Sequence, residues 1–211
     1  MIVDATFEFE EKFWVSGYDH VAGVDEVGAG CLAGPVVAAA VVLPREVDIN
    51  KLRDSKMLSA MQREKIADQI KAVALGWAIG FASPEEIDQI NIRQADFLAM
   101  RRALAGLSIE YQVVLSDGFA IPGLVCLQEA IIKGDQKSKS IAAASIIAKV
   151  YRDALMTEYE KEFPGYGFAK HKGYGTAEHC VALNTLGPCP IHRFSYSPVR
   201  ESSARKCRGN S

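Results

Sequence analysis

Gly23-Val24-Asp25-Glu26-Val27-Gly28-Ala29-Gly30 closes an apolar stretch on two adjacent carboxylates and runs straight into a glycine-rich turn. What comes next decides the fold. The spacing Gly28-x-Gly30-x-x-Ala33 matches the letters of a dinucleotide fingerprint, but that fingerprint needs a helix opening within the glycines to receive a pyrophosphate. Here Gly34-Pro35 and the Val- and Ala-rich run Val36 to Leu43 follow, and proline at that point resists helix. The pattern therefore reads strand, turn, strand, with His20 to Asp25 as the first buried strand. Asp25 and Glu26 would also repel the phosphates of a dinucleotide. A nicotinamide-dependent oxidoreductase of the Rossmann type is kept as an alternative, which a titration with the dinucleotide would reveal.

Working outward, Ser59-Ala60-Met61-Gln62 has the form of a capping box, and Ile66, Ile70 and Val73 recur at helical spacing up to Leu75. A third strand is expected over Gly76 to Ala82. Ser83-Pro84-Glu85-Glu86 supplies an N-cap, a proline at the first helical position and a glutamate three residues after the cap, predicting one helix to about Leu107. Val113 to Asp117 and Cys126 to Ile132 read as strands, and Ser138 to about Lys161 as a helix. From Phe163 to Ser197 the chain is rich in Gly, Pro, Tyr and His, with a short helix after Thr176, and Arg200 to Ser211 reads as a frayed basic tail. Strands first, then strands alternating with helices, argue for an α/β domain on a mixed sheet: antiparallel at one side, parallel at the other.

Ligands of open α/β sheets bind beyond the carboxyl ends of parallel strands. Asp25 and Asp117 lie at such ends, and Asp135 follows Ile131-Ile132-Lys133-Gly134. If those strands are neighbours, Asp25, Glu26, Asp117 and Asp135 meet. Gathered carboxylates raise one another's pKa and cost stability until a cation arrives. Adjacent side chains on a strand point to opposite faces, so Asp25 and Glu26 are expected to converge only at a strand end, loosened by Gly28 and Gly30. Each acid has a plainer reading. Asp117-Gly118 is the commonest hairpin dipeptide, Asp135 can cap the following helix, and residues 25–30 can be a polar turn.

Hydrophobic residues at 49% and charged residues at 24% fit a soluble globular chain, and nothing in them suggests global disorder. No apolar run reaches the ~18 residues that span a membrane, and the first residues carry no leader pattern; the reading is a cytoplasmic monomer. The five cysteines are odd in number and have no C-x-x-C spacing, so neither a disulfide framework nor a thiolate zinc site is indicated. His20, His171, His179 and His192 show no metal-binding spacing, so surface or hydrogen-bonded roles are expected. Residues 1–130 carry 11 Lys and Arg against 19 Asp and Glu, a net −8, whereas 131–211 carry 13 against 7, a net +6. That asymmetry suits a second part facing a polyanion, although solvated helix faces would look similar. Lys133, Lys137, Lys139, Lys170 and Lys172 interleave with Tyr166, Phe168 and Tyr174. Cations holding phosphates beside aromatic faces suit nucleic acid.

The chain resembles the ribonuclease HII family, the type 2 ribonucleases H, nearly end to end. The resemblance is carried by Gly23 to Val42, Asp54-Ser55-Lys56, Ser116-Asp117-Gly118, Lys133-Gly134-Asp135, Ile141 to Val150, Arg152-Asp153, His171-Lys172-Gly173-Tyr174-Gly175-Thr176 and His192-Arg193. It implies the ribonuclease H-like fold: a five-stranded mixed sheet flanked by helices, with a C-terminal helical extension. On that basis residues 1–199 form one catalytic domain, of which about 163–199 is a substrate-contacting extension, and 200–211 a flexible tail. It further implies an endonuclease that hydrolyses RNA in RNA–DNA hybrids and cuts 5′ of ribonucleotides embedded in duplex DNA, leaving 3′-hydroxyl and 5′-phosphate ends. Asp25, Glu26, Asp117 and Asp135 would be the catalytic acids and the ligands of Mg²⁺ or Mn²⁺, two ions with substrate bound. Gly28, Ala29, Gly30, Lys56, Lys133, Lys172 and Tyr174 would contact substrate, the turn's backbone holding the 2′-hydroxyl and Tyr174 stacking on a sugar. Ala29 stands where the family has arginine, which removes a guanidinium able to grip phosphate. Weakened substrate binding or junction selectivity is expected. A non-catalytic hybrid-binding protein is a further alternative.

Overall fold

The computed structural model describes residues 4–47, 49, 52 and 58–209. A five-stranded sheet is ordered β3-β2-β1-β4-β5, from β1 (Val21–Val27), β2 (Val36–Val42), β3 (Gly76–Ala82), β4 (Val113–Asp117) and β5 (Leu127–Ile131). β1 pairs antiparallel with β2 and parallel with β4, and β4 is parallel to β5, so the mixed sheet expected from the sequence is present. Every residue of β2 is buried, as a continuous apolar run requires when both faces are covered. β3 alternates buried and more exposed residues, as befits an edge strand.

The chain divides into two compact units. The first comprises Met1–Val27, Val37–Phe81 and Asp96–Val150, the second Gly28–Val36, Ala82–Ala95 and Tyr151–Ser211.

In the first unit, Ala142, Ala143, Ala144, Ile146, Ile147 and Ala148 of the long helix α5 (Lys139–Glu162) join Val37, Ala39 and Val41 of β2 and Ile66 and Ile70 of α2 (Ala60–Val73) in the main core. Small side chains let the helix lie close to the sheet. Gly23 takes this furthest, since a Cβ there would fall 2.1 Å from the Ser140 carbonyl carbon. α1 (Glu8–Val15), absent from the sequence reading, packs Phe9, Phe13 and Trp14 against Val21, Leu115 and Ile141. Its buried Glu10 accepts hydrogen bonds from the Ser138 hydroxyl (2.7 Å) and the Ser140 amide (2.8 Å), placing a carboxyl at the N-terminus of α5, where amides lack intrahelical acceptors.

Both capping boxes form, at Ser59/Gln62 and Ser83/Glu86. The single helix expected to follow Ser83 is instead two, α3 (Pro84–Ile90) and α4 (Ile92–Ala105). Asn91 lies between them at φ +67°, and its side-chain oxygen accepts the Gln94 amide at 3.2 Å. It ends one helix and caps the next.

The second unit has its own core of Ala33, Met156, Tyr166, Phe168, Cys189 and Ile191. Leu32, Leu183 and Val199 form a further cluster. α6 (Phe168–His171) and α7 (Ala177–Leu186) belong here, and so does α8 (Ser197–Gly209), a helix where the sequence suggested a frayed tail. Val199 and Ser202 are buried, and the Ser202 hydroxyl donates to the Leu183 carbonyl at 2.7 Å. Among the described residues no helix is long and apolar enough to cross a membrane.

Candidate active site

Parallel pairing runs up to Val24 opposite Ser116, which makes Asp25 and Asp117 the next residues on adjacent strands. Asp25 does not lie beyond its strand. It and Glu26 are still within the ladder to β2, opposite Ala39 and Ala38. Asp25 shares the strand side of Gly23, where α5 packs, and Glu26 is the largest charge acting on it. β1 stays paired through Val27, so the glycine turn begins only after both acids.

Asp25 is only 5% exposed and accepts a hydrogen bond from its neighbour's amide, Glu26 N, at 2.9 Å. Burial holds its carboxyl well above the usual carboxylate range, and the Glu26 charge raises it further. A hydrogen bond from Ser145 of α5 opposes that, while Asp117 and Asp135 add smaller upward pushes. The other three predicted acids thus all act on Asp25. Asp117 ends β4, and its Oδ1 accepts the Gly134 amide at 2.6 Å, tying that strand to the turn carrying Asp135. Asp135 is buried in a single 3-10 turn, Gly134–Gln136, which Lys133 enters at φ +57°. The hairpin signal of Asp117-Gly118 is overridden because β4 continues to a parallel neighbour, β5.

Among the described residues no three His, Cys, Asp or Glu side chains are drawn tightly enough together to hold a metal ion. Asp25 nonetheless feels the charges of Glu26, Asp117 and Asp135, which makes the four acids a cluster in charge. In kind, its donors fit a hard divalent cation: oxygen ligands only, one of them a buried acid whose ionisation its neighbours oppose.

The predicted substrate residues fare unequally. Gly28 is buried at φ +96°, Ala29 is partly exposed and Gly30 exposed. Tyr174 is 40% exposed, and its segment forms a bridge with Cys31. Lys133 is exposed. Lys172 is not extended toward solvent, because its ammonium donates to the Asp153 carbonyl (3.1 Å) and the Thr157 hydroxyl (2.8 Å). Lys56, with Asp54 and Ser55, lies outside the described residues.

His171, His179 and His192 are buried and hydrogen-bonded, not at the surface. His179 Nε2 lies 3.1 Å from His192 Nε2, and the Cys189 amide donates to His192 Nδ1 at 3.0 Å. Sequence reasoning missed Ser145, Arg152 and Arg193. Arg152 had a visible signal: it continues the i, i+4 row Ala148, Arg152, Met156 on an apolar helix face, and both arginines are fully buried.

A sequence model of the Ribonuclease HII family matches residues 22–199. The chain belongs to the ribonuclease HII family. It is 51% identical over 199 residues to ribonuclease HII of Desulfitobacterium hafniense (strain Y51), covering 94% of this chain and 76% of that one. To the Nitrosococcus oceani ribonuclease HII it is 56% identical over 181 residues, 86% and 90% of the two chains. Among solved structures, ribonuclease H2 from Pyrococcus horikoshii OT3 superposes with a TM-score of 0.75 at 26% identity, covering 88% of this chain and 98% of that one. As a member of the ribonuclease HII family the chain is a ribonuclease H endonuclease. The dinucleotide reading falls on the fold itself, because the glycine turn leads to β2, antiparallel to β1, and not to a helix. The non-catalytic alternative falls with the family assignment.

Proposed function

We propose that this ribonuclease H hydrolyses the RNA strand of RNA–DNA hybrids and cuts on the 5′ side of ribonucleotides embedded in duplex DNA, leaving 3′-hydroxyl and 5′-phosphate ends. The observation that carries the reading is the buried Asp25 carboxyl with Glu26, Asp117 and Asp135 all raising its pKa. Those four acids would hold Mg²⁺ or Mn²⁺, which when bound supplies charge neutralisation and an activated water for in-line displacement at phosphorus. The protein's own part is positional. Ser145 orients Asp25, the Gly134 amide orients Asp117, and the 3-10 turn fixes Asp135.

Substrate contact would fall to the Gly28-Ala29-Gly30 backbone at a 2′-hydroxyl, the group that separates RNA from DNA. The half-exposed Tyr174 ring would stack on a sugar, and the exposed Lys133 would meet a phosphate. The tethered ammonium of Lys172 supports a structural role in place of the phosphate contact. Ala29 offers backbone donors only, so binding is weaker than with an arginine there. The test is incubation of a duplex carrying one ribonucleotide, with and without divalent metal, beside an all-DNA duplex. A single metal-dependent cut 5′ of the ribonucleotide supports the reading; a cut without metal, or equal cutting of all-DNA duplex, refutes it.

A further inference from the structure

Arg152 and Arg193 are both 0% exposed, and among the described residues neither guanidinium forms an ion pair. A buried charge without a counter-charge is costly unless hydrogen bonds compensate it. Here the compensation comes from six backbone carbonyls. Arg193 donates to the carbonyls of Gly28 (2.7 Å), Ala29 (2.8 Å) and Gly34 (2.9 Å). Arg152 donates to those of Ala33 (3.2 Å), Pro35 (3.0 Å) and Lys172 (2.9 Å). The Tyr196 hydroxyl also donates to the Ala29 carbonyl, at 2.9 Å.

Trans peptide planarity gives this a directional consequence. The carbonyl of one residue and the amide of the next share a plane and point in opposite directions. Drawing the Gly28 and Ala29 carbonyls onto Arg193 turns the Ala29 and Gly30 amides the other way. Neither of those amides has a protein acceptor among the described residues, and Gly30 is exposed. Two successive outward amides make a cradle for an electronegative atom. Space also enforces the arrangement, since a Cβ on Gly28 would lie 2.2 Å from Arg152 Nε. Through the Lys172 carbonyl, Arg152 joins the same loop to the segment bearing Tyr174, while the Leu32 amide donates to the Gly173 carbonyl at 2.8 Å.

We infer that Arg152 and Arg193 are positioning residues for ribonucleotide recognition: they hold the 28–35 loop so that its amide pair faces a 2′-hydroxyl, with the Tyr174 segment locked beside it. This rests on the substrate reading above.

The test uses the full chain, with Arg193→Lys as the direct variant and Tyr196→Phe as a mild one that removes only the hydroxyl held by Arg193 and Ala29. Thermal midpoints are measured first. KM and kcat are then measured on the single-ribonucleotide duplex, together with the inhibition constant of the matching all-DNA duplex. The ratio of that inhibition constant to KM reports selectivity. We expect it to fall about tenfold in Arg193→Lys and about threefold in Tyr196→Phe, the scale of one charged and one neutral hydrogen bond. The all-DNA constant should stay put, and the Tyr196→Phe midpoint should lie within about 2 °C of the parent's. If the parent selects ribonucleotides and both variants select equally well, the assignment to the arginines is overturned, whatever their stability. If the parent itself shows no selectivity, the substrate reading fails first and the inference with it.

Discussion

Replacing Gly23 with alanine probes the tightest contact on which the acid site depends. The new Cβ would lie 2.1 Å from the Ser140 carbonyl carbon, 2.4 Å from the Ile141 amide nitrogen and 2.5 Å from the Ser140 oxygen. Carbon atoms rest at about 3.5–4.0 Å, so α5 would have to withdraw by roughly 1.5 Å. All three neighbours are backbone atoms, and no side chain can swing aside, which puts the cost at the upper end of the ~1–3 kcal/mol typical of overpacking. For a chain of this size that is a fall in thermal midpoint of about 6–12 °C. The same withdrawal carries Ser145 away from Asp25. Activity measured well below the transition should therefore fall about a hundredfold, as expected for an ångström-scale misplacement. Gly30→Ala is the matching stability control: nothing lies within 4 Å of its added Cβ and its φ is not positive, so its midpoint should hold or rise slightly. Calorimetry and single-ribonucleotide cleavage assays on both variants decide the matter. A Gly23→Ala protein with the parent's midpoint and rate would refute the claim that α5 sits directly on β1 and orients the acid.

Burial, together with the facing His179 and His171, holds His192 down to about 4. Its unfolded value is near 6.5, so the unfolded chain takes up the proton first as pH falls. Stability should decline from about pH 6.5 to about pH 4, and a melting series in which His192→Asn kept the parent's full slope would contradict this. Ala29→Arg should lower KM for the single-ribonucleotide duplex by about tenfold through a charged phosphate contact; unchanged cleavage and unchanged junction preference would dismiss the effect assigned to Ala29. Asp117→Ala should cost about 1–3 kcal/mol by stranding the Gly134 amide, whereas Asp117→Asn keeps an acceptor, and denaturant titration of the two variants would separate them.

The sheet was legible because β1, β2, β3 and β4 carry their own apolar signal, and the two capping boxes fix helix starts through local chemistry. The elements that escaped are those whose reasons lie elsewhere in the chain. α1 mixes aromatic and acidic residues, and its apolar face has meaning only against Val21 and Ile141. α8 is polar throughout most of its length and gains its hold from Val199 and Ser202. Asn91 breaks a helix whose apolar period continues past it, since a positive φ leaves no periodic trace. The candidate acids stood out as a pattern because carboxylates closing apolar runs are conspicuous in a sequence. The end of β1 was placed at Asp25, whereas pairing with β2 persists two residues further, to Val27. The row Ala148, Arg152, Met156 marked Arg152 as buried but not its partners, and Arg193 left no trace, for a buried cation held by carbonyls gives no charge pattern to read.

In the proposed function, Asp25, Glu26, Asp117 and Asp135 form one charge-coupled cluster that a divalent cation completes. Its most direct test pairs two readings on Asp25→Asn: cleavage of a single-ribonucleotide duplex with Mg²⁺ or Mn²⁺, and the metal-free thermal midpoint followed from acid to neutral pH. Because the folded Asp25 pKa is raised, its ionisation weakens the fold as pH climbs through that value, and asparagine escapes this. Cleavage should be abolished, and the midpoint should equal or exceed the parent's, the advantage widening with pH. Full cleavage, or a midpoint that drops below the parent's at neutral pH, would contradict it.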